Sequence, residues 1–221
     1  MKKITNLVLV LVMAVGLLAA GCGGEEKKTA SAPAGKEELI VGTEPSFAPF
    51  EFPEKDSKEF TGFDMDLIRA ISKELGYKKC TIKNMGFDAL IPAINSGNLD
   101  VAIAGFTITE ERKKQVLFSQ PYYKSGLAIV VRKEINDIKT FDDLKGRTLA
   151  VQLGTTGALR AEKLKGQGTT VKTFNTSDLA CIELKNKGAD AVISDLPVLQ
   201  YFLKNMRNWQ GSLLRQKIMV S

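Results

Sequence analysis

Within Asp100–Gln120, DVAIAGFTITEERKKQVLFSQ, an apolar run ends at Gly105 and Phe106, and a helix opens at Thr109 with Arg112 in its first turn. These residue types at this spacing are suited to binding an anion. Backbone N–H groups at Thr107 to Thr109 and a guanidinium one turn in would face the crevice beyond a strand's carboxyl end, where open α/β sheets hold ligands. Thr109 reads as the N-cap, with Glu110 and Glu111 favoured by the positive end of the helix dipole. The competing reading makes Arg112 a solvated residue paired with Glu110 or Glu111, a contact of small energetic weight. A second turn, LGTTG at Leu153–Gly157, also offers N–H groups. It lacks the lysine and spacing of a phosphate-binding loop, so nucleotide is not supported.

The elements that would position these groups follow from periodicity. Val101–Ala104 and Leu39–Thr43 are short apolar runs, as in strands of a parallel sheet covered on both faces. Glu44–Phe52 is a proline-broken loop; Phe50 and Phe52 suit the core, and Phe47 at the strand's exit can present its ring to the crevice. Phe63, Leu67, Ile68, Ile71 and Leu75 recur at helical spacing, and Gly76 stops that helix. A strand at Lys79–Met85 precedes a helix over Phe87–Asn95, where Pro92 is tolerable only in the first turn. Phe118–Gly126 reads as a crossing into a second domain, followed by strands at Leu127–Val131, Arg147–Gln152, Val171–Phe174 and Asp190–Ser194. Helices alternate with them at Ala158–Leu164, at Asp178–Asn186 with Thr176 or Ser177 as cap, and from Asp195 and Pro197 to about Asn205.

An internal echo supports two lobes. Asp88 and Asp178 lie 90 positions apart, as do Asp100 and Asp190, and the same offset sets Gly105 opposite Asp195. Two facing βαβ units would put Arg112 and Gly105 on one wall and Asp195 on the other; coincidence between generic units is the alternative.

The 221 residues are 44% hydrophobic and 25% charged, enough for one large or two small domains. The net charge of +6 is spread, with acids interleaved, so nucleic acid is not an expected partner. Histidine is absent, which removes the usual general base and the commonest metal ligand; no catalytic residue, cofactor or metal is expected. Lys2 and Lys3 precede an apolar run from Leu7 to Ala20 and then Gly21, Cys22, Gly23 and Gly24. Residues 1–21 therefore read as a secretory signal peptide and the protein as exported. Residues 22–38 read as a flexible tether. Cys80 and Cys181 read as free, buried thiols.

Cys22 after Leu-Ala-Ala-Gly resembles a bacterial lipoprotein signal, which implies a lipidated, membrane-anchored N-terminus; Ala19 stands where leucine is usual. From about Leu39 to Asn205 the chain resembles the extracellular amino-acid-binding proteins of ABC importers that take glutamine, histidine, arginine or lysine. The resemblance rests on SFAPFEF, GFDMDLIRAI, FDALIPAI, DVAIAGFTITEER, FSQPYYKSGL, LKGRTLAVQLGTTG and ADAVISD, in the family's order. AGFTITEERKK and PYYKSGL look most like glutamine-binding proteins. The resemblance implies an α/β, two-lobed, type II periplasmic-binding-protein fold, each lobe a mostly parallel sheet flanked by helices. Lobe 1 would be residues 39–120 and lobe 2 residues 121–205, hinged at about 119–126. A monomer is implied, working with an ABC permease on the outer face of the cytoplasmic membrane or in the periplasm.

By the same resemblance, Arg112 would bind a ligand α-carboxylate, helped by the N–H groups of Thr107 and Thr156, with Thr155 in the same turn. Asp195, the Gly105 carbonyl and the Thr107 hydroxyl would hold the α-ammonium; Phe47 and Phe87 would sandwich the side chain. Asp195 is also a candidate N-cap before Pro197. Glu44 would be the one charge facing the ligand's side chain, and Gln152 stands where glutamine-binding relatives often carry lysine. That places arginine or lysine level with glutamine and disfavours aspartate and glutamate. Rival functions are a sensory ligand-binding module and a dehydratase-like enzyme on the same fold. Residues 206–221 do not match the family's continuation, so the tail is expected to be divergent or truncated, with the C-terminal part of lobe 1 and the second hinge connection missing.

Overall fold

The computed structural model describes residues 37–205 and 211–214. The expected signal peptide, Cys22 as the expected lipid attachment point, nearly all of the expected tether and most of the tail lie outside the described residues.

Lobe 1 begins with β1 (Glu38–Thr43), one residue earlier than the sequence suggests. A hairpin of β2 (Phe52–Pro53) and β3 (Phe60–Thr61) leads to α1 (Phe63–Glu74), β4 (Lys79–Asn84), α2 (Phe87–Asn95), β5 (Val101–Ala102) and α3 (Glu110–Lys113). The three longer-range strands pair in parallel in the order β4-β1-β5. Alternation along β1 creates two apolar layers. Leu39 and Val41 pack with Met65, Ile68 and Ile103, and Ile40 faces Leu90, Leu99 and Ala104.

Lobe 2 comprises β6 (Leu127–Arg132), a 3-10 turn at Asp142–Leu144, β7 (Thr148–Gln152), α4 (Thr156–Glu162), β8 (Thr170–Phe174), α5 (Ser177–Lys185), β9 (Ala191–Asp195), α6 (Leu196–Asn205) and β10 (Gly211–Leu214). The strand order is β10-β6-β9-β7-β8. Its central strands β6, β7 and β9 are largely apolar and buried because helices cover both faces, whereas β8 carries Lys172 and exposed threonines. Ile129, Val131, Leu149, Val151 and Ile193 face Leu144, Ala158 and Ala161, and Ala128, Val130, Ala150 and Val192 face Ala180, Cys181, Leu184 and Leu199. Each fully buried Val, Leu or Ile contributes roughly 1.5–3 kcal/mol, so these two layers carry most of this lobe's stability.

The echo between lobes has a structural basis. The Asp100 carboxylate accepts the Ile40 N–H at 2.9 Å, and Asp190 accepts the Thr148 N–H at 2.8 Å. Each aspartate thus satisfies a donor at the start of the neighbouring parallel strand, β1 or β7.

Several expectations are corrected. Pro92 is the sixth residue of α2 and not in its first turn; the helix is short, and the missing N–H removes only one bond of its ladder. The Val101–Ala104 run is a strand for two residues only, because Gly105 at φ +56 turns the chain away. Lobe 2 is a mixed sheet, parallel across β8, β7 and β9 and antiparallel at β6 and β10. The tail, assigned no element from sequence, supplies β10, which pairs with the open edge of β6. Cys80 is half-buried and Cys181 buried, and neither is in a disulfide.

Candidate ligand-binding cleft

The ten residues singled out from the sequence converge on one cleft between the lobes. Glu44, Phe47, Phe87, Gly105, Thr107 and Arg112 line it from lobe 1, and Gln152, Thr155, Thr156 and Asp195 from lobe 2. Glu51 and Ala104 complete the lining.

Arg112 is not a surface residue. Its neighbours Glu110 and Glu111 pair instead with Lys113 and Lys114 at 2.7 and 2.9 Å. The Arg112 side chain is carried inward by the short helix that Thr109 caps, accepting the Arg112 N–H at 3.2 Å. With only 8% of Arg112 exposed, its guanidinium donates to the Thr107 carbonyl at 2.8 Å and, across the cleft, to the Gly154 carbonyl at 3.0 Å. It also lies 5.3 and 5.2 Å from the ring centroids of Phe87 and Phe106, which stack on one another at 4.5 Å. Among the described residues no carboxylate comes within ion-pair distance of Arg112. Burial pushes its pKa down, and the negative charge of Asp195 opposes that shift. A desolvated guanidinium held by neutral carbonyls retains its full attraction for an incoming carboxylate.

Asp195 ends β9 on the facing wall. Its carboxylate accepts from the Ser125 hydroxyl at 2.9 Å, from the crossing segment, and Asp195 directly precedes α6. Burial raises the Asp195 pKa to about 6, against the lowering effects of Ser125 and Arg112.

Phe47 is 8% exposed and packs against Phe50 and Val198 while its ring covers Gly105. A Cβ at Gly105 would stand 2.7 Å from the Phe47 ring, so glycine is required there for space as well as for its positive φ. Phe87 both lines the cleft and serves as a platform for Arg112. Thr155 caps α4, accepting the Ala158 N–H at 3.1 Å and donating to the Gln152 carbonyl at 2.8 Å, which fixes the LGTTG turn.

Glu44 and Gln152 meet across the lobes. The Gln152 amide donates to Glu44 at 2.7 Å and to the Asn175 carbonyl at 3.2 Å, while the Ser46 hydroxyl donates to Glu44 at 2.7 Å. Burial raises the Glu44 pKa and these two hydrogen bonds oppose it. Among the described residues the carboxylate is thus supplied with donors but not with a countercharge.

Sequence reasoning passed over Glu51 and its neighbour Asp64. Both are fully buried, the first between two aromatic residues in Phe50-Glu51-Phe52 and the second in the first turn of α1. A charged residue embedded in a proline-bounded aromatic run was the available signal.

Comparison with known proteins gives a consistent setting. The family model for bacterial extracellular solute-binding proteins, family 3, matches residues 39–209. The arginine-binding extracellular protein ArtP of Bacillus subtilis is 33% identical over 94% of this chain and 79% of its own length. The arginine-binding periplasmic protein of Mannheimia haemolytica is 39% identical over 72% of this chain, which spans 64% of that relative. An ancestral arginine-binding protein, solved with arginine and with glutamine, superposes with TM-scores of 0.80 and 0.78 at 44% identity, covering 83% of this chain and 80% of that one. An ancestral amino-acid-binding protein described as a precursor of cyclohexadienyl dehydratase superposes at 0.74 with 37% identity, over 82% of this chain and 78% of its own. The match over residues 39–209 and the two-lobed fold that surrounds the cleft place this chain in the bacterial extracellular solute-binding proteins, family 3.

Proposed function

We propose that the chain captures an L-amino acid with a basic or polar side chain, arginine or lysine with glutamine as a neutral competitor, and delivers it to an ABC permease. The observation that carries this reading is the buried, carboxylate-free Arg112 facing Asp195 across one cleft. A zwitterion answers both walls. Its α-carboxylate takes the guanidinium in a charge-assisted pair, with the Thr107 and Thr156 N–H groups nearby, and its α-ammonium takes Asp195 with the Gly105 carbonyl and Thr107 hydroxyl. Phe47 and Phe87 remove the side chain from water, which strengthens those contacts.

The charge of Glu44, without a counterion, selects a cationic side chain over an acidic one. Capture proceeds by closure of the lobes about residues 119–126, since Arg112 to Gly154 and Glu44 to Gln152 are bonds that form only when the walls meet. The relatives described by what they bind are binding proteins, and no chemistry on the ligand is proposed. Attachment to the membrane through lipidated Cys22 belongs to the same reading, with the receptor acting as a monomer beside its permease. Titration calorimetry against arginine, lysine, glutamine and glutamate tests it: saturable binding of the first three is expected, and tightest binding to glutamate overturns it.

A further inference from the structure

At the floor of the cleft, which Glu51 helps to line, Glu51 and Asp64 lie with neither residue exposed to solvent. The loop before β2 and the first turn of α1 are drawn together by the Asp64 N–H, which donates to the Phe50 carbonyl at 2.9 Å. Gly62 permits this approach, since a Cβ there would lie 2.3 Å from that same carbonyl oxygen. One Asp64 oxygen accepts the Gly105 N–H at 3.0 Å and the Tyr122 hydroxyl at 2.8 Å. The other Asp64 oxygen and both Glu51 oxygens receive no N–H or O–H donor from the described residues. Glu51 directly follows the residue whose carbonyl accepts the Asp64 N–H, so the two buried acids are neighbours, and after burial the Asp64 charge is the largest influence on Glu51.

Two bare carboxylates so placed repel strongly in a low-dielectric interior, whereas one proton between them converts repulsion into a charge-assisted O–H···O bond. Asp64 already has two donors that stabilise its anion, and Glu51 has none, so the proton belongs on Glu51. Resting on the ligand site described above, we propose that Glu51 is a protonated positioning residue: it donates to Asp64, and the resulting pair fixes Gly105 and Phe47, the wall that meets the ligand's ammonium group. Phe47 enters through the backbone, because its N–H donates to the Glu51 carbonyl at 2.9 Å. The groups facing Glu51 agree with this assignment. Asp64 on α1, Glu44 in the preceding loop and Asp195 at the end of β9 are all acidic, and together with burial they hold Glu51 well above the usual carboxylate range. Tyr122 reaches it only through Asp64, and Arg112 stands across the cleft towards Asp195.

Infrared spectroscopy of the ligand-free protein at about pH 8 should show the carbonyl stretch of a protonated carboxyl, moving in heavy water and lost in Glu51→Gln. The folded state keeps a proton that the unfolded glutamate releases, so wild-type stability falls relative to Glu51→Gln as pH rises from about 5 to 8. The difference reaches up to about tenfold per pH unit in the folding equilibrium constant. Asp64, Glu44 and Asp195 are present in both proteins but act on Glu51, so the difference reports Glu51 together with its coupling to them. Glu51→Leu, which cannot donate to Asp64, is expected to bind arginine at least tenfold more weakly than Glu51→Gln. A band that survives Glu51→Gln, or parallel pH profiles, overturns the shared proton; equal affinities in the two variants overturn the positioning role. A protein that binds no amino acid contradicts the ligand reading, while the band and the pH slope still decide the pair.

Discussion

Arg112 owes its character to what does not reach it. The two glutamates before it are occupied by Lys113 and Lys114, and its donors rest on neutral carbonyls. Arg112→Ala should therefore weaken amino-acid binding by at least about 100-fold, roughly 3 kcal/mol, with little change in melting temperature. Asp195 supplies a pH signature with two opposite signs. Its carboxyl titrates near 6 instead of the ordinary 3.8, so it favours folding below pH 3.8 and withdraws that contribution as pH rises to about 6. The loss amounts to roughly 3 kcal/mol. Binding runs the other way, because only the ionised form attracts an ammonium group. Affinity should be level above about pH 7 and fall up to tenfold per unit below about pH 6, and Asp195→Asn should abolish that dependence in titrations across pH.

At the scale of elements, the turns determine what the site residues can do. Gly105 combines φ +56 with the Phe47 ring pressed against its missing Cβ. Gly105→Ala should cost about 1–3 kcal/mol in denaturant melts and weaken binding, since Phe47 must move. Thr155→Ala removes the α4 cap and should cost about 1 kcal/mol. These elements were largely legible: Thr109 and Thr155–Thr156 lie beside turn signals, and Asp100 and Asp190 gave the repeat away at the same offset. The bounds of α2, Phe87–Asn95, match the sequence reading; only the condition that Pro92 lie in the first turn fails, because one missing N–H is tolerated in a short helix. β5 is shorter than its apolar run because Gly105 at φ +56 turns the chain away. Gln152 and Glu44 were foreseen as residues of the site but not as partners of each other, since a contact 108 positions apart depends on how the lobes close.

At the scale of the whole molecule, the same pair couples ligand choice to closure. Gln152→Lys would give Glu44 a counterion, remove the attraction for a cationic side chain, and shift the arginine-to-glutamine affinity ratio at least tenfold towards glutamine. Gln152→Glu would set two carboxylates against each other across the lobes and hold them apart, visible as a larger radius of gyration by small-angle X-ray scattering. The overall plan was readable because apolar runs alternate with amphipathic helices and the βαβ unit repeats. The buried Glu51–Asp64 pair was not, because local sequence gives no sign that a loop and a helix start will bring two acids together.

The most direct measurement of the central claim is calorimetric titration of the wild type with arginine, repeated with Arg112→Ala and Asp195→Asn. The arrangement of the cleft predicts stoichiometric, micromolar or tighter binding to the wild type, lost by at least about 100-fold in the first variant and at least about tenfold in the second. Undiminished affinity in either variant would contradict a zwitterion held between the two walls.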